Sequence, residues 1–449
     1  MKKISIIGAG ESGIGAAMLA HRLGYQVFVS DSGVISDSRK IQLAEREIEF
    51  EEGGHTVARI LATEELVKSP GIPFENALVE QALEAGIPVI DELEFASRHS
   101  KGRLIAITGT NGKTTTTLLT YHLLKKAGMD VGLAGNVGQS WAAQLVEVDH
   151  QWWVLEVSSF QIDGFKSLKP DIALIMNITP DHLDRYGYSL DNYIQSKMNL
   201  FRNMDEKGHL IYYREDENIQ RGLSTLSIAA NAHPISLQAM QDHGGYFNGQ
   251  NIRLTLASGD LEVAKEEIAL TGDHNMLNVM SAVQAASLAG VSEEAIRSGL
   301  KDFKNAAHRM EKAGEIGGVI YINDSKGTNV DATAYALAAY PSPLIWIAGG
   351  VDKGNEYSQL YPAVKDHVKL LICLGKDNEK LKAAFKDIIP QIVETQSIKE
   401  AAQLAQEKGK TGDVVLLSPA CASFDLFKNY EDRGDQFKEA VKELIKEAK

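Results

Sequence analysis

Short apolar runs alternate with amphipathic stretches along most of the chain, which is the rhythm of strands and helices in open, largely parallel sheets. Lys3 to Ile7 predicts a strand, followed by a helix rich in Ala and Leu to about Leu23 and a second strand from Gln26 to Ser30. Glu65 to Lys68 and Ile87 to Ile90 predict two more strands before a helix over Glu92 to Arg98, and the polar stretch His99-Ser-Lys-Gly102 closes this block. The rhythm restarts with the apolar run Leu104 to Ile107, a glycine-containing loop, and Leu118, Leu119, Tyr121, His122 and Leu123 at helical spacing. Buried strands are expected at Trp152 to Val157 and Ile172 to Ile178, with short β-like pieces such as Leu210 to Tyr213 and Ile252 to Leu256 further on. An Ala-rich helix runs to Ala289, and Val319 to Asn323, Leu344 to Ala348, Lys369 to Leu374 and Asp413 to Leu417 read as parallel strands. The expected class is α/β with three domains: an N-terminal Rossmann-like domain (1–100), a central P-loop ATPase-like domain with a mixed sheet (101–306), and a C-terminal Rossmann-like domain (307–449).

Composition narrows the function classes. With 449 residues, 44% hydrophobic and 24% charged, the chain has the make-up of a soluble globular protein, and it lacks an apolar run long enough to span a membrane. The basic start, Met1-Lys-Lys, is followed by an apolar run that breaks at Gly8, so it reads as a first strand and a cytoplasmic location is expected. A net charge of −14 argues against nucleic acid as the main partner, so anionic small substrates must meet local positive clusters. Cys373 and Cys421 supply neither a disulfide framework nor a zinc site. Cys421, set among small residues, reads as a packed thiol rather than a nucleophile. A monomer is the expectation.

The chemistry centres on Gly109-Thr-Asn-Gly-Lys-Thr-Thr115, placed between strand and helix. Backbone N–H groups from Gly109 to Lys113 would face an anion at the helix N-terminus, Lys113 would add charge, and the Thr114 hydroxyl suits Mg²⁺. The general P-loop pattern fails at Ile107, where it requires glycine, while the narrower Gly-Thr-Asn-Gly-Lys-Thr fits. Gly8-Ala-Gly-Glu-Ser-Gly13 is a Gly-x-Gly-x-x-Gly fingerprint with Asp31 eighteen positions beyond its last glycine, a pattern that serves any nucleotide diphosphate. Glu156, at the end of a buried strand, needs a cation, either Mg²⁺ or a salt-bridge partner. His182 reaches the same sheet edge after the next strand and can ligate Mg²⁺. Asn136, among glycines, either reaches for a ligand or takes a left-handed turn. Ile194, Lys197, Met198 and Phe201 share one helical stripe, so Lys197 either snorkels or, if buried, is neutral enough to take up CO₂ as a carbamate. Asn275 either caps the Ala-rich helix or reads an amide-like edge such as adenine.

These motifs together resemble the Mur ligases of peptidoglycan synthesis and their relatives, the folylpolyglutamate synthetases. The likeness is carried by Gly109-Thr-Asn-Gly-Lys-Thr114, Glu156-Val-Ser-Ser159, Asp181-His-Leu-Asp184, His274-Asn-Met-Leu-Asn278, His308-Arg309 and Asp324-Ser-Lys326. It spans all three expected domains, and departs from the usual pattern at Lys304-Asn-Ala-Ala307 before His308. Ser158-Ser-Phe-Gln161, Asp181-His-Leu-Asp-Arg-Tyr186, Ser418-Pro-Ala-Cys-Ala-Ser-Phe-Asp425 and Phe427-Lys-Asn-Tyr-Glu-Asp-Arg-Gly434 resemble the family branch that adds D-glutamate to UDP-N-acetylmuramoyl-L-alanine.

The resemblance implies roles. ATP phosphates would lie on Gly109, Thr110, Asn111, Gly112, Lys113, Thr114 and Thr115. One Mg²⁺ would be held by Thr114 and Glu156, and a second by His182 and carbamylated Lys197. Asn275, Arg309 and Asp324 would hold adenine, phosphate and ribose; Ser12, Asp31, Ser32 and Gly71 the UDP end; Asn136 and Ser158 the muramoyl-alanine end; and Thr328, Lys353, Ser423 and Tyr430 the glutamate. The implied chemistry is acyl phosphate formation followed by amine attack, with ATP drawing the third domain onto the second. Three alternatives stand beside it: a folylpolyglutamate synthetase, a nicotinamide-dependent dehydrogenase reading Gly8 to Gly13 at face value, and a non-catalytic nucleotide sensor.

Overall fold

The computed structural model describes residues 2–239, 243–256, 259–270, 272–340, 343–352 and 354–447. By its internal contacts the chain forms two compact units, 1–270 with 275–303, and 304–449 with 271–274. The first unit contains two sheets and the second contains one.

The first sheet is fully parallel. Its strands are β1 (Lys3–Ile7), β2 (Gln26–Asp31), β3 (Glu49–Glu52), β4 (Glu65–Lys68) and β5 (Val89–Ile90), in the order β3-β2-β1-β4-β5. After β1 the chain turns at Gly8 into the helix Glu11–Arg22, which packs so tightly that a Cβ on Gly13 would lie 1.9 Å from the Gly8 carbonyl oxygen. The glycine fingerprint therefore allows close helix-to-strand packing, as its spacing implies.

The second sheet comprises β6 (Arg103–Thr108), β7 (Val131–Gly135), β8 (Trp152–Glu156), β9 (Ile172–Ile175), β10 (His209–Tyr213), β11 (Asn231–Ser236), β12 (Gly245–Phe247), β13 (Asn251–Leu256) and β14 (Gly259–Ala264). Their order is β14-β13-β12-β11-β10-β9-β6-β8-β7. Pairing is parallel from β7 across to β12 and antiparallel through β13 and β14, so the sheet is mixed. Strand β9 stops at Ile175, short of the expected Ile178, because the following residues turn to clasp the phosphate loop. Alternate side chains of β6 enter opposite cores. Leu104 and Ala106 join the apolar cluster that also holds Ile4, Ile6, Val27 and Val29 of the first sheet, while Ile105 and Ile107 pack with the helix Asp273–Leu288. One apolar core thus unites the two sheets of the first unit.

In the second unit β15 (Glu311–Ile316), β16 (Val319–Asn323), β17 (Leu344–Ala348), β18 (Val368–Leu374), β19 (Ile392–Thr395) and β20 (Val414–Leu417) form a sheet ordered β15-β16-β20-β17-β18-β19. Only β15 runs antiparallel to its neighbour. Both cysteines are buried. Burial pushes the Cys373 thiol up to about 12 and that of Cys421 up to about 11, so Cys421 is a packed thiol, 3.2 Å from the Tyr357 hydroxyl.

At the seam between the first two sheets, Glu92 lies buried and accepts hydrogen bonds from the Ser140 hydroxyl at 2.8 Å and the Ala142 N–H at 2.7 Å. Burial outweighs those bonds and lifts its carboxyl from 4.5 to about 7. Ionised Glu92 is therefore disfavoured in the fold. Its contribution to stability is complete below the unfolded-state value and is lost as pH rises through about 7, a loss on the order of 3 kcal/mol. Glu92→Gln is expected to reduce the drop in thermal midpoint between about pH 5 and about pH 8, measured by differential scanning calorimetry.

Candidate active site

The phosphate loop leaves β6 and enters the helix Lys113–Lys126 through Gly112, whose φ of 83° is left-handed. Asn177, just beyond β9, clasps the loop. Its carbonyl accepts from the Thr110 N–H at 2.9 Å, its side-chain oxygen accepts from the Asn111 N–H at 2.8 Å, and its amide donates to the Asn111 carbonyl at 3.1 Å. The expectation that every amide from Gly109 to Lys113 faces an anion is corrected at Thr110 and Asn111, whose N–H groups serve this clasp. Thr110 also bonds through its hydroxyl to the backbone of Thr179, accepting from the N–H and donating to the carbonyl, both at 3.0 Å. Lys113 Nζ donates to the Gly109 and Thr110 carbonyls at 2.9 and 2.8 Å. Thr114 and Thr115 are buried in the first turn of the helix.

Glu156, the last residue of β8, pairs with Ile107 of β6 and therefore stands beside the loop. Its side chain is 1% exposed. Oε1 accepts from the Asn136 amide at 2.7 Å, while buried Oε2 has no hydrogen-bond partner among the described residues. An unpaired buried carboxylate oxygen is costly unless a cation meets it. A carboxylate oxygen suits Mg²⁺, and no group of three His, Cys, Asp or Glu side chains gathers as a metal cluster among the described residues. Such a site fits an ion that completes its shell with phosphate and water oxygens. Asn136 is not left-handed, which removes the turn reading. Its side chain orients Glu156 and its N–H donates to the Glu156 carbonyl at 2.8 Å. The protein salt-bridge reading of Glu156 is likewise replaced by this amide contact.

Lys197 does not snorkel. It is 1% exposed on the helix Leu190–Met198, and its Nζ donates to the Gly109 carbonyl at 2.9 Å while standing 4.6 Å from the Tyr193 ring centre. Burial, aided by the charge on Lys113, holds its ammonium pKa well below the ordinary value of 10.5. His182 adopts a left-handed conformation with φ 52°, and its ring lies edge-on to Phe160 at 5.1 Å. Ser158 caps the helix Ser159–Ile162 in a reciprocal box with Gln161. Asn275 lies within the first turn of the helix Asp273–Leu288 rather than at its cap, and accepts from the Asn278 amide at 2.9 Å. Asn278 accepts in turn from the Thr116 hydroxyl at 3.2 Å, which joins this helix to the phosphate-loop helix.

At the first sheet, Asp31 ends β2 and accepts from the Ala9 N–H at 2.6 Å and the Gly33 N–H at 2.8 Å. Its carboxylate therefore braces the glycine loop. Ser12 lies in the first helical turn, and Ser32 and Gly71 are exposed on neighbouring loops.

The second unit gathers its own cluster at the exits of β16, β17 and β20. Asp324 is buried and accepts from the Ser418 hydroxyl at 2.8 Å. Burial raises its carboxyl to about 6, opposed chiefly by the Arg309 charge. Arg309 sits between left-handed His308 and Met310, and its buried Nε has no hydrogen-bond partner among the described residues. Thr328 and Tyr430 are half-buried, Ser423 is buried, and Lys353 lies outside the described residues. Arg433 had no role from sequence, yet it organises this cluster. Buried to 1% exposure, it donates to the Ser325 hydroxyl and carbonyl at 2.9 and 2.8 Å. Burial lowers its guanidinium to about 10. Asn177 was missed as well, and the available signal was an asparagine directly beyond a buried strand.

Residues 2–91, 107–286 and 308–421 match the family models for the Mur ligase MurD-like N-terminal domain, the Mur ligase middle domain and the Mur ligase glutamate ligase domain, respectively. Over 443 residues the chain is 48% identical to the UDP-N-acetylmuramoylalanine--D-glutamate ligase of Christiangramia forsetii, across 99% of this chain and 100% of that protein. A protein of the same name from Bacteroides fragilis is 44% identical over 445 residues, across 99% and 100% of the two chains. Another, from Porphyromonas gingivalis, is 46% identical over 443 residues and 98% of each. Among solved structures, a pseudomurein peptide ligase type C from Methanothermus fervidus superposes with a TM-score of 0.63 at 18% identity, over 99% of this chain and 100% of that one. FolC of E. coli, in complex with DHPP and ADP, superposes with a TM-score of 0.57 at 18% identity, over 78% and 90%. At these identities the likeness is one of fold.

A Cβ on Gly112 would lie 2.4 Å from Asn278 Oδ1, and the left-handed backbone adds roughly 1–2 kcal/mol for any other residue. Gly112→Ala is therefore expected to lower the thermal midpoint and weaken ATP binding at least tenfold, read by calorimetry and titration with a non-hydrolysable analogue.

Proposed function

The chain belongs to the Mur ligase family, and from that premise we propose that it is the ATP-dependent ligase that joins D-glutamate to UDP-N-acetylmuramoyl-L-alanine in peptidoglycan synthesis, working in the cytoplasm. The observation that carries this reading is the near-complete span shared with relatives of that name. The domains proposed for it are 1–100, 101–306 and 307–449. The first domain takes the UDP end through Ser12, Asp31, Ser32 and Gly71. The central domain holds the ATP phosphates from Gly109 to Thr115 and the muramoyl-alanine end through Asn136 and Ser158. Asn275, Arg309 and Asp324 serve the nucleotide, and Thr328, Lys353, Ser423 and Tyr430 the amino acid.

A carboxylate is a poor electrophile, so the alanine carboxylate must first be phosphorylated. One of its oxygens attacks the γ-phosphorus of ATP, and ADP leaves. Lys113 and the helix N-terminus offset the repulsion between the two anions, and their pre-set orientation favours the more charged transition state. The glutamate amine then attacks the acyl carbon, losing a proton as the C–N bond forms, and inorganic phosphate departs with one former alanine oxygen. Mg²⁺, when bound, supplies further neutralisation of phosphate charge, with Thr114 and Glu156 suited to one ion and His182 and carbamylated Lys197 to a second.

Lys197 is suited to carbamylation because its amine is buried and its pKa is lowered, which favours the neutral amine more than in an exposed lysine. Addition of CO₂ to that amine releases one proton and leaves an anion on the same helix face.

With oxygen-18 in the alanine carboxyl, turnover in the presence of ATP and D-glutamate should release ADP and place label in the liberated phosphate. Unlabelled phosphate would refute the acyl phosphate route, and turnover with a folate but not with the UDP-sugar would transfer the chain to the folate branch. Lys197→Ala should lose at least a hundredfold in kcat and regain part of it with added acetate. Wild-type activity that is indifferent to CO₂ depletion would remove the carbamate.

A further inference from the structure

The motif Asp181-His-Leu-Asp-Arg-Tyr186 contributes only His182 to the proposed chemistry, yet its arginine makes the longest reach. Arg185 stands in the 3₁₀ turn Leu183–Tyr186, bounded by His182 and Gly187 at left-handed φ values of 52° and 61°. Its Nη1 donates to the Gly71 carbonyl at 3.1 Å and Nη2 to the Pro70 carbonyl at 3.4 Å. A residue of the central sheet's loop thereby grips the loop that follows β4 of the first sheet. From its own strand, buried Lys68 holds the same loop through the Ile72 carbonyl at 3.0 Å.

The other side of Arg185 leads to the catalytic edge. Its guanidinium carbon lies 4.3 Å from the centre of the Phe160 ring, whose edge-on neighbour is His182. Tyr186 stacks on Phe160 and donates to Asp163 at 3.0 Å, and Asp163 accepts from the Ser196 hydroxyl at 2.6 Å, one residue before Lys197. A planar fork with two donors can bridge adjacent carbonyls while lying flat on an aromatic ring, a combination that lysine lacks.

We propose that Arg185 is a positioning residue that ties the Pro70–Gly71 loop to the turn carrying His182, so that seating the sugar nucleotide on the first sheet sets the geometry at the phosphate loop. The inference rests on the reading that Gly71 serves the UDP end. Arg185 Nη1 and Nη2 donate to the backbone of that loop, and the residue's effect passes through it.

Steady-state kinetics on the full chain, with UDP-N-acetylmuramoyl-L-alanine, ATP and D-glutamate each varied in turn, test this. Arg185→Ala should raise the KM for the UDP-sugar about tenfold, the order of effect of losing its charge-assisted hold on the Pro70–Gly71 loop, while the KM for ATP stays within about twofold. Arg185→Lys should fall between alanine and wild type. Hydrogen exchange at residues 69–72 should quicken in Arg185→Ala with the thermal midpoint little changed. An unchanged KM for the UDP-sugar overturns the proposal, as does a uniform rise in all three KM values with a lowered thermal midpoint, which marks a merely structural role. Wild-type inactivity with these three substrates would sink the ligase reading itself, and this inference with it.

Discussion

The carbonyl oxygen of Gly109 receives hydrogen bonds from two lysines, Lys113 and Lys197, each at 2.9 Å. Two ammonium groups sharing one acceptor in a buried place repel each other, and burial decides which one yields. Lys197, sealed beneath the loop, has its charged form disfavoured, partly by the Lys113 charge beside it, while Lys113 stands in the first turn of its helix and donates also to the Thr110 carbonyl. Loop shape follows from that arrangement, with both lysines holding the loop's backbone.

The loop can hold this shape because its surroundings are rigid. Strands β6, β8 and β9 are buried on both faces, so the carboxyl edge they present cannot slide in register without moving side chains between two cores. Asn177 from one flank and Asn278 from the other hold the loop and its helix through hydrogen bonds. Glu156 is pinned by the Asn136 amide on one oxygen, which leaves the second buried without a hydrogen-bond partner among the described residues. The first sheet belongs to the same compact unit through a shared apolar core, and so the Arg185 contacts to the Pro70–Gly71 loop link two parts of one packed unit. In the second unit, Arg433 plays the part that Asn177 plays in the first: a buried polar side chain holds strand exits in place by bonding to backbone.

Much of this was legible from the residues alone. The apolar runs located β1, β16 and β17 at their observed bounds, because a strand buried on both faces must be nearly continuous in apolar side chains. Strands β3, β11 and β19 escaped notice because their residues are polar or only half-buried. Glycine spacing exposed both anion-binding turns, since close backbone approach excludes a Cβ. The stripe through Ile194, Lys197, Met198 and Phe201 marked an unusual lysine, but helical periodicity cannot say whether a side chain curls to solvent or stays inside. Asn136 was noticed for its glycine neighbours, whereas its partner lies twenty residues away on another strand.

Sequence by itself determined the parts: which segments are strands, where glycine is required, which lysines and carboxylates stand at strand ends, and through their joint pattern the family. Tertiary structure decided the partners. It buried Lys197 and lowered its pKa, gave Asn177 the loop amides, left one oxygen of Glu156 unpaired, and brought Arg185 to the carbonyls of Pro70 and Gly71. The physical reason is that strand and turn preferences are local and periodic, whereas desolvation and hydrogen-bond pairing depend on which distant segments fold against a given side chain.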